Sequence, residues 1–275
     1  MTTPANPAPT PPAGPTARPS TLYGPVRSWR YGRSLGVDPI VETSTCSFNC
    51  IYCQLGDIQR VTMERRVFVP TQWLEEDLAG VDWEAVDVVT ISGSGEPTLA
   101  ANLGEMIALL GRRAVRPVHL LTNATLLHLP EVRAQVLDAD VVECKLDAPD
   151  DALLRRINRP APEVSHLRII EGILALKREY SGRLTLQVML MPANLKAIEA
   201  WAPLIRRIAP AEVHLNTPRR PYPLEWYRES RGDHESRACP GEKRTLRVIT
   251  PDEAAWAERF LREQTGVALI SVYRP

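Results

Sequence analysis

The residues best suited to chemistry are Cys46-Ser-Phe-Asn-Cys50-Ile-Tyr-Cys53, a Cys-x3-Cys-x2-Cys run holding three of the chain's five cysteines. Thiolate is a soft ligand that favours zinc, Cu(I) or iron–sulfur clusters. Structural zinc takes four protein ligands, and no fourth Cys or His follows nearby. A [4Fe–4S] cube closed entirely by protein also takes four cysteines. Three thiolates on one short loop would leave one iron of a cube open, and an open position marks chemistry rather than structure. On this run alone, a zinc knuckle with a remote ligand and a redox dithiol beside a bystander cysteine stay open.

The elements that must position this run follow from hydrophobic periodicity. Gly36 to Thr43, rich in Val and Ile, reads as a strand leading into the cysteines. Further strands are expected at Val86–Ile91, Val118–Leu121, Val141–Leu146, Leu184–Leu190 and Val213–Leu215. Helical spacing is expected at Asn102–Arg113, Pro130–Leu137, Asp151–Ile157, Ser165–Tyr180 and Leu195–Ile208, with an acidic helix start capped by Thr71. Alternating strands and helices imply an α/β fold with a parallel sheet and right-handed crossovers. Six such units fall short of the eight of a complete barrel, so a partial, TIM-like (β/α)6 barrel is expected. Past Asn216 the pattern breaks into a long Pro-rich loop. A short β-α-β extension follows, with strands at Leu246–Ile249 and Val267–Val272 around a helix at Asp252–Gln264.

Parallel α/β sheets bind ligands outside the carboxyl ends of their strands, so those ends are the next place to look. The second strand runs into Ser92-Gly-Ser-Gly-Glu-Pro-Thr98, where glycines allow close backbone approach and Glu96 brings an acceptor. The third ends at Asn123. On the fourth, Val142, Cys144 and Leu146 share one face, and Glu143, Lys145 and Asp147 share the other. Charges inside and apolar residues outside fit a barrel whose lumen is a site. Cys144 is then expected to be a buried packing residue. Gln187 and Met189 lie on one face of the fifth strand, and His214 and Asn216 on one face of the sixth. Several Arg and Gly residues between Gly24 and Asp38 read either as an anion-binding lead-in or as an ordinary turn.

The cysteine spacing, with Tyr52 before the third cysteine, resembles the cluster loop of the radical S-adenosylmethionine (SAM) superfamily. The resemblance implies a [4Fe–4S] cluster on Cys46, Cys50 and Cys53, whose free iron is chelated by SAM. The reduced cluster then splits SAM into methionine and a 5′-deoxyadenosyl radical. Ser94-Gly95-Glu96 is similar to the superfamily's Gly-Gly-Glu motif, with Ser94 at its first glycine. That likeness implies that the motif and the Tyr52 backbone hold SAM. Asn123, Asp147 and Gln187 would then line its ribose or the substrate. A partial barrel is also the core fold of that superfamily. Phrases such as Gly-Arg-Ser-Leu-Gly-Val-Asp38, Ile-Asn-Arg-Pro160 and Leu-Asn-Thr-Pro-Arg-Arg-Pro221 resemble a stand-alone branch related to the wyosine-base synthases of tRNA. Those enzymes carry a second cluster from upstream cysteines, used to bind pyruvate. No cysteine stands before Cys46 here, and Cys144 and Cys239 are too few for another three-thiolate site.

Composition adds the setting. Lys plus Arg equals Asp plus Glu at 33 each, so no global field draws nucleic acid or membrane. No membrane span or signal region stands out, and clustered cysteines suit a reducing cytoplasm. Residues 1–20 read as a disordered Pro/Ala-rich tail, 21–217 as the radical SAM core, and 218–275 as a loop and extension capping the barrel. An external one-electron reductant of flavodoxin or ferredoxin type is expected, with tRNA left open as a substrate. A non-catalytic iron–sulfur electron-transfer or scaffold protein is the alternative, and a zinc-binding RNA module the third reading. Cys239 is taken as incidental.

Overall fold

The computed structural model describes residues 18–232 and 241–273. Its sheet opens with a hairpin, β1 (Leu22–Ser28) antiparallel to β2 (Gly32–Val37). A short parallel pair, β3 (Thr45–Cys46) and β4 (Arg60–Val61), frames the cysteine loop. Helix α1 (Thr71–Leu78) precedes β5 (Val88–Ile91), and α2 (Leu103–Arg113) precedes β6 (Val118–Thr122). Helix α3 (Pro130–Val136) leads to β7 (Val141–Lys145); α4 (Asp151–Ile157) and α5 (His166–Glu179) lead to β8 (Arg183–Met189). Helices α6 (Pro192–Leu195) and α7 (Ile198–Ile208) then lead to β9 (Glu212–Asn216). After the short pair β10 (Tyr222–Pro223) and β11 (Lys243–Arg244) come α8 (Pro251–Thr265) and β12 (Ala268–Ser271).

The main sheet runs β1-β2-β5-β6-β7-β8-β9-β12, parallel throughout except at the β1–β2 edge. This curled half-barrel is the partial TIM-like barrel expected from the strand–helix alternation. Its outer face packs on the helices. Val142, Cys144 and Leu146 meet a core that includes Ile169, Ile170 and Ile173 of α5 and Trp201 and Ile205 of α7. The α7 residues Ile198, Trp201, Ala202 and Ile205 recur at helical spacing and are all buried. Burial of each large side chain contributes about 1.5–3 kcal/mol. Trp201 also donates Nε1–H to the Leu146 carbonyl at 3.2 Å, fixing the helix over the end of β7.

Several boundaries differ from expectation, each for a local reason. The first parallel strand is Gly32–Val37 rather than Gly36–Thr43. Asp38 ends it by accepting from the backbone N–H groups of Ile40 and Val41, and Pro39 has no N–H to offer a ladder. The helix expected from Leu195 to Ile208 begins at Ile198 instead, as α7, and the short α6 (Pro192–Leu195) precedes it. Thr71 does not cap α1; its hydroxyl donates to Glu105 instead. Leu246–Ile249 forms no strand, because only Ile249 is buried and alternation is absent. The helix and last strand of the extension do form, and β12 pairs with β9 as one more parallel strand. Most of the expected tail, and Cys239, lie outside the described residues. Arg18 and Ser20 at its end are held by α1, where Arg18 pairs with Glu76 and Ser20 donates to Asp77.

Trp201→Ala is expected to destabilise the fold by about 3–5 kcal/mol, as large-to-small core changes do. Urea unfolding monitored by circular dichroism reads this. An unchanged midpoint would show that α7 does not anchor the sheet.

Candidate active site

The cysteine loop has little ladder of its own and is held from both sides. On one side Thr45 N donates to Ser94 O and Glu96 N to Thr45 O, both at 3.0 Å. A Cβ on Gly95 would stand 1.7 Å from the Thr45 carbonyl oxygen, so glycine is required there. On the other side the turn after α4 straps the loop. Asn49 N donates to Asn158 O and Ile51 N to Ile157 O, both at 2.9 Å, and Ala161 N donates to Ser47 O at 2.8 Å.

Cys46, Cys50 and Cys53 are all partly exposed and line one cavity of about 330 Å³. N–H groups face two of the sulfurs: Phe48 N lies 3.4 Å from Cys46 Sγ, and Asn158 Nδ2 lies 3.3 Å from Cys50 Sγ. Burial raises all three thiols, Cys53 to about 12. A bound cation reverses that preference and draws out the thiolates. Among the described residues, no three His, Cys, Asp or Glu side chains converge on a single metal ion. Cys144 is fully buried in the helix-facing core, as strand alternation requires.

The loop after β5 forms the adjoining wall. Gly93 has φ +124°, and a Cβ there would meet the Asp38 carboxylate at 2.4 Å. Ser94 is fully buried and turned toward Asp38, donating from N at 3.0 Å and from Oγ at 2.6 Å. Arg231 completes this group, 2.7 Å from Asp38 Oδ2. Glu96 is buried too. Its Oε1 accepts from Thr98 N, Thr98 Oγ1 and Thr122 Oγ1, and its Oε2 from Asn123 N at 2.7 Å. Burial raises the Glu96 carboxyl, and these donors act against the rise. Asn123 joins the two walls, since its Nδ2 lies 2.8 Å from Ser47 Oγ and 3.6 Å from Cys46 Sγ.

The model of the Radical SAM superfamily matches residues 40–202, which include the cysteine loop, the Gly-rich loop and strands β5 to β8. The chain belongs to the radical SAM superfamily. A UPF0026 protein of Synechocystis is 46% identical to this radical SAM protein over 215 residues, covering 78% of this chain and 81% of the relative. In fold it is similar to Streptococcus suis SuiB, solved with S-adenosylmethionine, with TM-score 0.59 and 13% identity over 85% of this chain and 49% of that one. It is similar also to archaeal TYW1, with TM-score 0.57 and 16% identity over 86% of this chain and 74% of that one. Both likenesses are of fold.

Within this radical SAM fold the remaining residues singled out from sequence take different stations. Gln187 lines the cavity, where its Oε1 accepts from Lys145 Nζ at 3.0 Å. Asp147 does not line it. Its Oδ1 accepts from Met189 N and its Oδ2 from Asn158 Nδ2, both at 2.8 Å, and Oδ2 also accepts from the Tyr52 hydroxyl. Asp147 therefore positions the cysteine loop through Tyr52 and Asn158. His214 is buried between Glu143 on its Nδ1 side and Glu212 on its Nε2 side.

The lead-in between Gly24 and Asp38 is the β1–β2 hairpin, and its tip supplies residues that sequence reasoning did not assign. Arg30 Nη1 lies 2.6 Å from Glu143 Oε1, and Tyr31 donates to Glu143 Oε2 at 2.7 Å. Burial works against the charge on Glu143, but Arg30 and His214 hold its carboxyl at about 2. These contacts floor the lumen. Their only sequence signal was the Arg- and aromatic-rich Trp29-Arg30-Tyr31, which has no fixed spacing to Glu143.

Asp147→Ala is expected to loosen the cysteine loop without unfolding the barrel, because it strands three donors, each costing about 1–3 kcal/mol when left buried and unpaired. Hydrogen exchange should speed up across residues 49–53 while α2 stays protected. Equal protection in both proteins would rule out the positioning role.

Proposed function

We propose that this protein is a radical SAM enzyme in which Cys46, Cys50 and Cys53 hold a [4Fe–4S] cluster. The observation that carries the reading is the junction at Asn123, which joins the cysteine loop and the Gly-Ser-Gly-Glu loop on one cavity. When bound and reduced, such a cluster supplies the electron that cleaves SAM into methionine and a 5′-deoxyadenosyl radical. Tyr52 and Gly95 line SAM's methionyl end by their backbone, and Glu96 offers Oε2 to its ammonium. Ser94, singled out from sequence as a SAM contact, instead braces the loop: it is fully buried off the cavity, with its N–H and hydroxyl on Asp38 and its carbonyl accepting from Thr45 N. Asn123 and Gln187 orient the ribose or the substrate. Asp147 keeps Tyr52 and Asn158 in place. The protein's part is to bind, orient and exclude water and oxygen.

A one-electron donor of flavodoxin or ferredoxin type would reduce the cluster. No helix among the described residues is long and apolar enough to cross a membrane. A non-catalytic electron-transfer role would need no cavity beside the cluster, so the shared cavity favours the enzyme. The substrate is unassigned, with tRNA among the candidates.

Anaerobic reconstitution with iron and sulfide, then dithionite and SAM, should yield 5′-deoxyadenosine. Cys46→Ala, Cys50→Ala and Cys53→Ala should each lose the brown chromophore and the cleavage, and Cys144→Ala should keep both. Glu96→Gln should keep the cluster and weaken SAM binding by the worth of one charge-assisted contact, about 1.5–3 kcal/mol. A protein purified anaerobically with stable zinc and no iron would sink this reading.

The same preparation tests how far the wyosine likeness extends. Only one run of three cysteines exists in the sequence, and Cys144 faces the core. About four irons per chain are expected, with a cluster signal that SAM perturbs and pyruvate does not. About eight irons, or a pyruvate-dependent tricyclic base on N1-methylguanosine tRNA, would restore the closer homology.

A further inference from the structure

Outside the cavity, an apolar patch is built on the outer side of the cysteine loop. Ile157, Met189 and Met191 form a small buried cluster apart from the main core, and Ile51, Leu153, Ala193 and Leu246 pack on it half-buried. None of these four lines the cavity. They come from the cysteine loop, α4, α6 and the segment after β11. Ile51 stands between Cys50 and Cys53, and its N–H donates to Ile157 O at 2.9 Å. Strand β11 is brought here by its pairing with β10, whose neighbour Leu224 accepts from Asp57 N at 3.2 Å. Val248, two residues past Leu246, is 36% exposed.

The segments around this patch are basic. Residues 153–160, 191–197 and 243–250, which carry Leu153, Ala193 and Leu246, hold seven Lys or Arg and no Asp or Glu. The chain as a whole balances at 33 of each sign, so positive charge is concentrated here. Arg155, Arg156, Arg159, Lys196, Arg244 and Arg247 are exposed and form no ion pair among the described residues. The acids that precede the first segment are committed at the start of α4. Asp150 accepts from Leu153 N at 2.8 Å, and Asp151 accepts from His166 N at 2.9 Å. Glu199 and Glu242 stand just outside the other two segments. An apolar centre with a charged rim is the anatomy of a protein–protein interface, and one sign of charge steers a partner of the other.

We propose that this patch docks an acidic one-electron carrier protein, whose negative rim meets the arginines and whose cofactor edge rests against Ile51. Electron transfer falls off steeply with distance, and this is where the surface comes nearest the cysteines in sequence. Ile51 adjoins Cys50, and Asn158, between Ile157 and Arg159, places its Nδ2 3.3 Å from Cys50 Sγ. The exchange is a single electron: the carrier is oxidised by one, the cluster is reduced by one, and no bond is made or broken. Redox encounters of this kind are small, below about 1,200 Å² of buried surface, which suits a patch of four side chains and a charged rim. A nucleic acid fits less well, because single strands stack their bases on open aromatic rings. The ring beside the patch, Tyr52, lies 5.1 Å from Lys145 Nζ, and its hydroxyl is taken by Asp147. The proposal rests on the reading of the cysteine loop as the cluster site.

The test is calorimetric titration of the reconstituted protein with two probes, an acidic flavodoxin and an acidic ferredoxin, both oxidised so that nothing turns over. At least one should bind at about 50 mM salt and weaken about tenfold or more at about 500 mM. Arg244→Glu combined with Arg247→Glu should weaken that binding about tenfold or more. Arg112→Glu combined with Lys177→Glu makes the same charge change at exposed positions on α2 and α5 and should leave it unchanged. With the reduced carrier as electron source, the first variant should form 5′-deoxyadenosine with a raised KM for the carrier. With dithionite, which needs no docking, it should match wild type. Five results would each overturn the surface: neither probe binds, the first variant binds as wild type does, the control variant loses as much, tRNA displaces the carrier from the patch, or the same two substitutions break a dimer of this chain. Iron content and dithionite-driven cleavage read the proposed function separately. A chain with about four irons that cleaves SAM but binds neither carrier keeps that function and loses the surface. A chain without iron that still binds a carrier through Arg244 and Arg247 does the reverse.

Discussion

The buried carboxylate of Glu96 is the interaction on which the top of this barrel depends. An ionised carboxylate in such a place is costly unless donors replace its water. Four do so here: two from Thr98, one from Thr122 and the backbone N–H of Asn123. These donors come from the loop after β5 and from the end of β6, so the charge closes the ends of two strands into one frame. Asn123, fixed by that frame, reaches Ser47 and Cys46 in the cysteine loop. The Gly95–Thr45 contact supplies the second tie. A loop with a two-residue ladder is thereby held by groups that themselves cannot move. Preorganisation of this kind is what a site needs before any cofactor arrives.

The same logic explains the serine at position 94, in the stretch that resembles the superfamily's Gly-Gly-Glu motif. Asp38 collects Ile40 N, Val41 N, both donors of Ser94 and the Arg231 guanidinium. The serine hydroxyl serves this buried anion, and its neighbours Gly93, Gly95 and Glu96 line the cavity. Ser94 is not among the residues with positive φ, so its Cβ introduces no strain. Arg231 comes from the segment after β10, so a late part of the chain also secures the Gly-rich loop.

Much of this was legible in sequence because it is local or periodic. The cysteine spacing, the Gly-Ser-Gly-Glu turn and the alternation of Val142, Glu143, Cys144 and Lys145 placed loop, wall and lumen. What escaped depends on partners far apart in the chain. Arg30 and Glu143 are 113 residues apart, and Tyr52 and Asp147 are 95 apart. No pattern within either segment declares the other. Asp147 shows the difference well. Alternation put it on the lumen face of β7, yet three donors from β8, the strap after α4 and the cysteine loop enclose it. Strand ends were misjudged where a side chain ended the ladder, as Asp38 does for β2.

Strand β7 also shows how one element divides stability from function. Its outward residues, Val142 and Cys144, are fully buried against the helices, where burial stabilises the fold. Its inward residues, Glu143 and Lys145, line the cavity and contribute little packing. Cys144 illustrates how position decides chemistry. Burial raises its thiol, no charged donor faces it, and it behaves as a small apolar side chain. The three cysteines above share its side chain but sit where N–H groups and an open cavity reach the sulfur. A polar lumen forgoes stabilisation that a packed apolar barrel core would gain. The outer face, continuous from β5 to β9 and covered by helices, offsets that loss, which is why the interior is free to be polar.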